Sequence, residues 1–269
     1  MDLRLGGKRA IVTGGSRGIG RAIALGLASE GVAVAIGARD LDGVSATVAE
    51  LRGYGVEAHA EAVDVTDADA LEAFVRSSAD ALGGLDLLVA NAGALSGGPQ
   101  LSAIGGDDWR YTLDINVTHP AIAARAAQPL MAESGGGAIL FIASIAGMHA
   151  WTRPHYGAAK AAEIHLASSL ALALAADGIR VNVISPGSIM FPGSNWERLA
   201  EDEDAFNRWL DHEFPFKRLG TDREIADVAC FLLSERASWV TGINVPVDGG
   251  QTAPNMLTTQ PMAGAWANR

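Results

Sequence analysis

The chain has 269 residues, 49% of them apolar and only 19% charged, a composition that excludes intrinsic disorder and leaves material for a sizeable core. Twenty Lys and Arg stand against 31 Asp and Glu, a net charge of −11, the wrong sign for nucleic acid or an anionic membrane surface. A single cysteine, Cys230, allows neither an intrachain disulfide nor a multi-cysteine metal site; with no membrane-length apolar run or targeting segment, a cytoplasmic location is expected.

In chain order, strands are expected over residues 9–12, 32–36, 57–62, 85–90, 138–142, 180–184 and 244–247. Helices are expected between them over 18–29, 41–51, 67–82, 107–133, 155–176 and 222–233. The strands are mostly continuous apolar runs, which is the pattern of a parallel sheet covered by helices on both faces. Thr66 before Asp67 and Asp69, and Thr221 before Asp222 and Glu224, read as helix N-caps followed by first-turn acids. No linker or repeat interrupts the chain, so residues 1–269 are read as one α/β domain. Two segments break the alternation: 188–216, expected to be a substrate lid, and the tail 251–269.

Directly after the first strand stands Thr13-Gly14-Gly15-Ser16-Arg17-Gly18-Ile19-Gly20, which runs into a helix. A glycine cluster alone makes only a tight turn. Placed between a strand and a helix, it lets a pyrophosphate approach the free N–H groups and positive dipole end of the helix, as in dinucleotide-binding βαβ units. The second strand ends Ile36-Gly37-Ala38-Arg39-Asp40. Arg39, with Arg17 in the loop, suits a 2′-phosphate and points to NADP(H); the alternative is two solvated arginines, with Asp40 serving the ribose diol.

Tyr156 and Lys160 stand at i and i+4 on one helix face, where the ammonium favours the phenolate and makes a usable acid/base. With three Tyr and three Lys in the chain, the chance of such a pair is roughly three per cent, so the spacing is informative. Ser144 follows an apolar strand at its carboxyl end, where an open parallel sheet binds its ligand. His149 and His155 flank this loop without metal-ligand spacing, so loop or substrate contacts are expected of them and no metal site.

Residues 13–20, Asn91-Ala92-Gly93, Asn116, Ser144, Tyr156 with Lys160, and Pro186-Gly187 together resemble the short-chain dehydrogenase/reductase family, over about residues 6–250. The resemblance implies a Rossmann-type, doubly wound fold with about seven parallel strands and helices on both faces. It implies a catalytic tetrad of Asn116, Ser144, Tyr156 and Lys160: Tyr156 as acid/base, Ser144 bonded to the substrate carbonyl, Lys160 on the nicotinamide ribose, and Asn116 positioning a relay water. Cofactor contacts are implied for Gly14, Ser16, Arg17, Gly18, Ile19, Gly20, Arg39, Asp64, Val65, Asn91, Ala92, Gly93, Tyr156, Lys160, Pro186, Gly187 and Ile189. Ser144 and Tyr156 are twelve residues apart, one fewer than the family's usual spacing, so the loop between them is expected to differ in shape. The family's long helices, here 107–133 and 155–176, pair across a two-fold axis, which implies a homotetramer.

Met148, Trp151, Met190, Phe191 and Trp196 fall in loops that the resemblance places around the substrate. They suit a largely apolar ketone or secondary alcohol, or else form the lid's own core. Within the family the likeness is to 3-oxoacyl-carrier-protein reductases, whose acidic carrier meets basic residues. Here the corresponding stretches, 131–137 and 176–178, carry Glu133 and Asp177 and no base, so that substrate is the alternative reading. A catalytically silent NADP(H)-sensing module is a third. The acidic run 201–204 reads as a solvated helix face.

Overall fold

The computed structural model describes residues 2–253. Seven strands form one parallel sheet: β1 (Arg9–Thr13), β2 (Ala33–Ala38), β3 (Ala58–Ala62), β4 (Leu87–Ala90), β5 (Gly137–Ile142), β6 (Ile179–Pro186) and β9 (Asn244–Val247). Their order is β3-β2-β1-β4-β5-β6-β9. β1 pairs with β2 on one side (Arg9 with Ala33) and β4 on the other (Ala10 with Leu87), so the winding reverses there and opens a crevice at the carboxyl ends. The Rossmann-type expectation holds.

The sheet is apolar on both faces because helices cover both. On one side α3 (Ala68–Leu82) and α5 (His119–Glu133) bury Leu71, Phe74 and Met131 against Leu88 and Phe141. On the other, α1 (Gly18–Ser29), α2 (Leu41–Gly53) and α9 (Asp222–Leu233) bury Ile23, Leu27, Leu51 and Ile225 against Val12 and Ile36. α1 and α9 pack closely at Gly26, where a Cβ would stand 3.2 Å from Cys230 Sγ. Burial pushes that thiol up, to about 12.

Two local expectations need correction. Residues 107–133 are not one α-helix: α4 (Gly106–Leu113) leads into a π-helical turn (Asp114–Thr118) before α5. Pro120 lies in the first turn of α5, and a proline there has no N–H for the carbonyl four residues back, at Asn116, so the helix cannot run through unchanged. The N-cap of α3 is Asp67, whose side chain accepts from Ala70 N, and Thr66 instead serves Asp64. Thr221 caps α9 as expected, with Glu224 completing a capping box. The segment 188–216 holds β7 (Ile189–Met190), α7 (Asn195–Leu199) and α8 (Glu203–Glu213), and β7 pairs in parallel with β8 (Gly220–Thr221). Asp202 caps α8 through Ala205 N, so the acidic run forms an exposed cap and first turn. α6 (Pro154–Ala173) follows β5 and carries the Tyr and Lys of the candidate site. No helix of the described residues is long and apolar enough to cross a membrane. The tail beyond residue 253, with Met256, Leu257, Pro261 and Trp266, lies outside the described residues.

Candidate active site

A cleft of about 700 Å³ opens at the carboxyl ends of β1, β2, β4, β5 and β6. The glycine loop forms its floor. Gly14 and Gly18 have φ of 68° and 54°, which a side chain would resist, and a Cβ at Gly14 would stand 2.8 Å from Asn91 Nδ2. Asn91 ties the loop to β4: its backbone N donates to Thr13 Oγ1 at 3.0 Å, and Nδ2 donates to the carbonyls of Thr13 and Gly14 at 3.0 and 3.1 Å. The N-cap of α1, Arg17, contributes no side-chain cap, and no acid lies in the first turn. The first N–H groups of α1 and its dipole therefore face the cleft without a protein acceptor among the described residues, as an anion site requires. Gly14, Ser16, Arg17, Gly18, Ile19, Gly20, Arg39, Asn91, Ala92, Gly93, Pro186, Gly187 and Ile189 all line the cleft, and so does Asp40.

Asp64 and Val65 do not. Val65 is buried in the core beneath, and exposed Asp64 accepts from Thr66 N and Oγ1 at 3.0 and 2.8 Å. Those bonds, helped by Arg39, hold the Asp64 carboxyl below the usual range.

The tetrad residues converge from three elements. Ser144 caps the 3₁₀ turn Ile145–Gly147, its Oγ accepting from Ala146 N at 3.1 Å. Gly147 lets this turn lie on α6, since a Cβ there would stand 2.6 Å from the Lys160 carbonyl carbon. Lys160 Nζ sits 5.9 Å from the Tyr156 ring centroid and donates to Ile142 O at 2.9 Å and to Glu163 Oε2 at 2.8 Å. Tyr156, Lys160 and Ser144 line the cleft. Asn116 lies behind it in the π-helical turn, donating from Nδ2 to Ala94 O and Thr112 O at 2.6 and 2.7 Å. Asn116 Oδ1 is buried with no partner among the described residues. A Cβ at Gly93 would stand 2.9 Å from that oxygen and 3.2 Å from Lys160 Nζ, so glycine keeps open a notch between the two.

Two titratable residues of this centre escape a reading of the sequence. Glu163 is buried beside Lys160, and His119, at the start of α5, is buried and pushed down to about 4, chiefly by burial. The i, i+3 spacing of Lys160 and Glu163 is visible in the sequence, but a charged pair at that spacing is ordinarily a solvated surface pair.

Of the apolar residues expected at the substrate, Phe191 and Trp196 line the cleft, Phe191 lying over the glycine loop with its ring 2.8 Å from where a Gly18 Cβ would be. Met190 packs into a separate small apolar core with Leu210, Phe214 and Trp209, on which Trp196 also stacks at 5.1 Å. Met148 is half-buried, and Trp151 is 47% exposed; neither lines the cleft. His149 is exposed, and His155 is buried with Nε2 at 2.8 Å from Ser96 O. Glu133 ends α5 and Asp177 precedes β6, so both lie at the amino ends of β5 and β6, opposite the cleft. Their charge therefore says nothing about what reaches the cleft of the same chain.

Residues 14–252 match a family model described as "Enoyl-(Acyl carrier protein) reductase". Dehydrogenase/reductase SDR family member 4 of Oryctolagus cuniculus is 37% identical over 256 residues, 94% of this chain and 96% of that protein. The L-sorbose reductase of Gluconobacter frateurii, solved with NADPH and L-sorbose, superposes with a TM-score of 0.88 at 35% identity, covering 94% of this chain and 99% of that one. A 7α-hydroxysteroid dehydrogenase solved with NADH and 7-oxo glycochenodeoxycholic acid superposes with a TM-score of 0.85 at 35% identity, covering 93% and 96%. Fold, glycine loop and relatives agree: the chain belongs to the short-chain dehydrogenase/reductase family of nicotinamide-dependent oxidoreductases.

Proposed function

We propose that this protein interconverts a ketone and a secondary alcohol, on a largely apolar small molecule, with NADP(H). The observation that carries the reading is the meeting of Ser144, Tyr156 and Lys160 in the same cleft as the uncapped start of α1. The bound nicotinamide supplies the hydride in reduction and accepts it in oxidation. In reduction Tyr156 donates its phenolic proton to the carbonyl oxygen. Ser144 Oγ already accepts from Ala146 N, which leaves its own O–H to donate to the same oxygen. Lys160 stabilises the phenolate that remains. Asn116 Oδ1, beside the notch at Gly93, offers an acceptor for a water that returns the proton.

Arg39 at the end of β2 and Arg17 in the loop support NADP(H), because both edge the cleft and neither is held in a short side-chain bond by a neighbour among the described residues. Asp40 edges the same cleft, so the rival ribose reading has a residue to stand on. Phe191 and Trp196 support an apolar substrate. The net charge of −11 opposes an acidic carrier protein, although the family model's description keeps a carrier-borne substrate as the second reading. Residues 188–216 serve as the lid of a single domain. A homotetramer and a cytoplasmic location complete the proposal.

A spectrophotometric screen of ketones and alcohols with NADPH, NADH and their oxidised forms tests it. Turnover of a free apolar ketone with NADPH is the expected result. A higher kcat/KM for a 3-oxoacyl carrier substrate would replace it with the carrier reading, and no turnover of any kind would leave a sensor.

A further inference from the structure

Lys160 carries its charge away from solvent: its side chain is 3% exposed, and that of Glu163 is 2% exposed. An ammonium taken from water without a partner prefers its neutral form, so a lysine at that depth needs an anion or loses its proton. The anion is one turn further along α6. Lys160 and Glu163 stand at i and i+3, which sets both on one helix face, and Glu163 Oε2 accepts from Nζ at 2.8 Å. Ile142 O accepts a second N–H at 2.9 Å. An ammonium has three N–H bonds, so two are committed within the protein and one is left for the site. The notch at Gly93 lies within its reach.

We propose that Glu163 is a positioning residue for the catalytic lysine: as buried acceptor and counterion it fixes where Nζ sits and keeps Lys160 cationic on the alkaline side of neutrality. The functional consequence rests on the oxidoreductase reading above; the pairing itself does not.

Burial pushes the Glu163 carboxyl up, to about 7, against the pull of Lys160, so above that pH it is an anion. Burial pushes Lys160 down, but Glu163, with Tyr156, outweighs it and holds the ammonium above the usual lysine range. Among the described residues few other charges face the pair. His119 of α5 acts on Lys160, and burial keeps that imidazole neutral down to about 4. On the elements packed against α6, Asp107 and Arg110 pair with each other at the surface, and Asp108 is taken up by Ser96 and Gly105 N. Tyr111 packs against the core, and Asp114 is exposed. Arg180 of β6 donates to carbonyls at residues 232–234 and 240, and Asp177 accepts from Gln128. The charge of Lys160 therefore hangs on Glu163.

The chain contains three lysines, Lys8, Lys160 and Lys217, so ¹³Cε-lysine NMR of the full-length protein follows Lys160 directly, its signal assigned with K160R. In the unmodified protein Lys160 is expected to keep its proton above about 10.4, the ordinary lysine value. In E163Q, which keeps the shape and loses the charge, its proton affinity should fall at least about tenfold below that value, and E163D should restore part of it. The Kd for NADPH, read by fluorescence, should rise in E163Q at about pH 9 and be largely retained at about pH 6, where the lysine is protonated in both proteins. A Lys160 in the unmodified protein that titrates below the ordinary value overturns the proposal without any variant, which covers the case of an E163Q protein that does not fold. An E163Q titration superimposable on the unmodified one overturns it as well. The lysine shift without turnover of any ketone would support the pairing and defeat the oxidoreductase reading alone.

Discussion

Tyr156 and Arg39 are the residues on which the proposed chemistry and cofactor choice turn. Tyr156→Phe removes the transferable proton while keeping the ring beside Lys160, so turnover should fall by about 10²- to 10⁴-fold, with the NADPH Kd nearly unchanged. Retained turnover in a stopped-flow assay would remove Tyr156 from the acid/base role. Arg39 is exposed at the cleft edge and acts on exposed Asp64. Arg39→Asp takes away hydrogen bonds to a 2′-phosphate worth about 1.5–3 kcal/mol and adds a repulsive charge, so calorimetry should show NADPH weakened at least about tenfold and the order of NADPH and NADH reversed. Equal affinity of the unmodified protein for both cofactors would end the 2′-phosphate argument.

At the scale of elements, α5 and α6 bring two buried titratable groups into the centre with opposite effects on stability. The His119 pKa is lowered from 6.5 to about 4, so between those values the unfolded chain binds the proton and the folded one does not, and stability falls as pH falls through that window. Over the whole window this amounts to about 3 kcal/mol. Glu163 is raised from 4.5 to about 7, so there the folded protein holds the extra proton and stability grows as pH falls from about 7 to 4.5. The two slopes oppose one another over the shared range. Urea unfolding of the unmodified protein should therefore vary little between about pH 6.5 and 4.5 on account of this pair, whereas His119→Phe should gain stability on acidification across it. A His119→Phe protein with the pH dependence of the unmodified one would contradict the buried-histidine assignment. The proposed lid makes a separate claim. Phe191 lies over the glycine loop, whereas Trp196 is shared between the cleft and the lid core. Phe191→Ala should raise KM for an apolar ketone about tenfold with a smaller change in kcat, since it removes binding common to ground and transition states. An unchanged KM would make the ring a purely structural part of the lid.

Among the described residues the whole molecule leaves several large apolar side chains in water: Leu172 of α6 is 84% exposed and Trp239, just before β9, is 98% exposed, with Phe231 of α9 and Ile243 partly so. Such exposure fits the proposed homotetramer, in which neighbouring copies cover these residues. Light scattering at micromolar concentration should give about four times the chain mass, and Trp239→Glu should shift it towards smaller species. A monomer would refute the assembly.

The sequence by itself determined what is local in the chain. Continuous apolar strands alternating with helices specify a doubly wound sheet, because each strand is buried on both faces wherever it lies. The glycine loop and the Tyr156–Lys160 pair are legible because a strand-to-helix turn and an i, i+4 spacing fix their geometry without reference to the rest of the fold. Tertiary structure decided the remainder. Glu163 looks like a surface partner until the assembled layers bury it beside Lys160, and Asn116 Oδ1 faces Lys160 Nζ across an open notch only because residue 93 is a glycine. Pro120 signals a break, but the form the break takes, a π turn over Asp114–Thr118, shows only in the folded chain. The same holds for Glu133 and Asp177, which the resemblance sets at the site and the parallel winding carries to the opposite end of the sheet. Burial and the end of the sheet at which a residue emerges are properties of the assembled layers, and no window of sequence contains them.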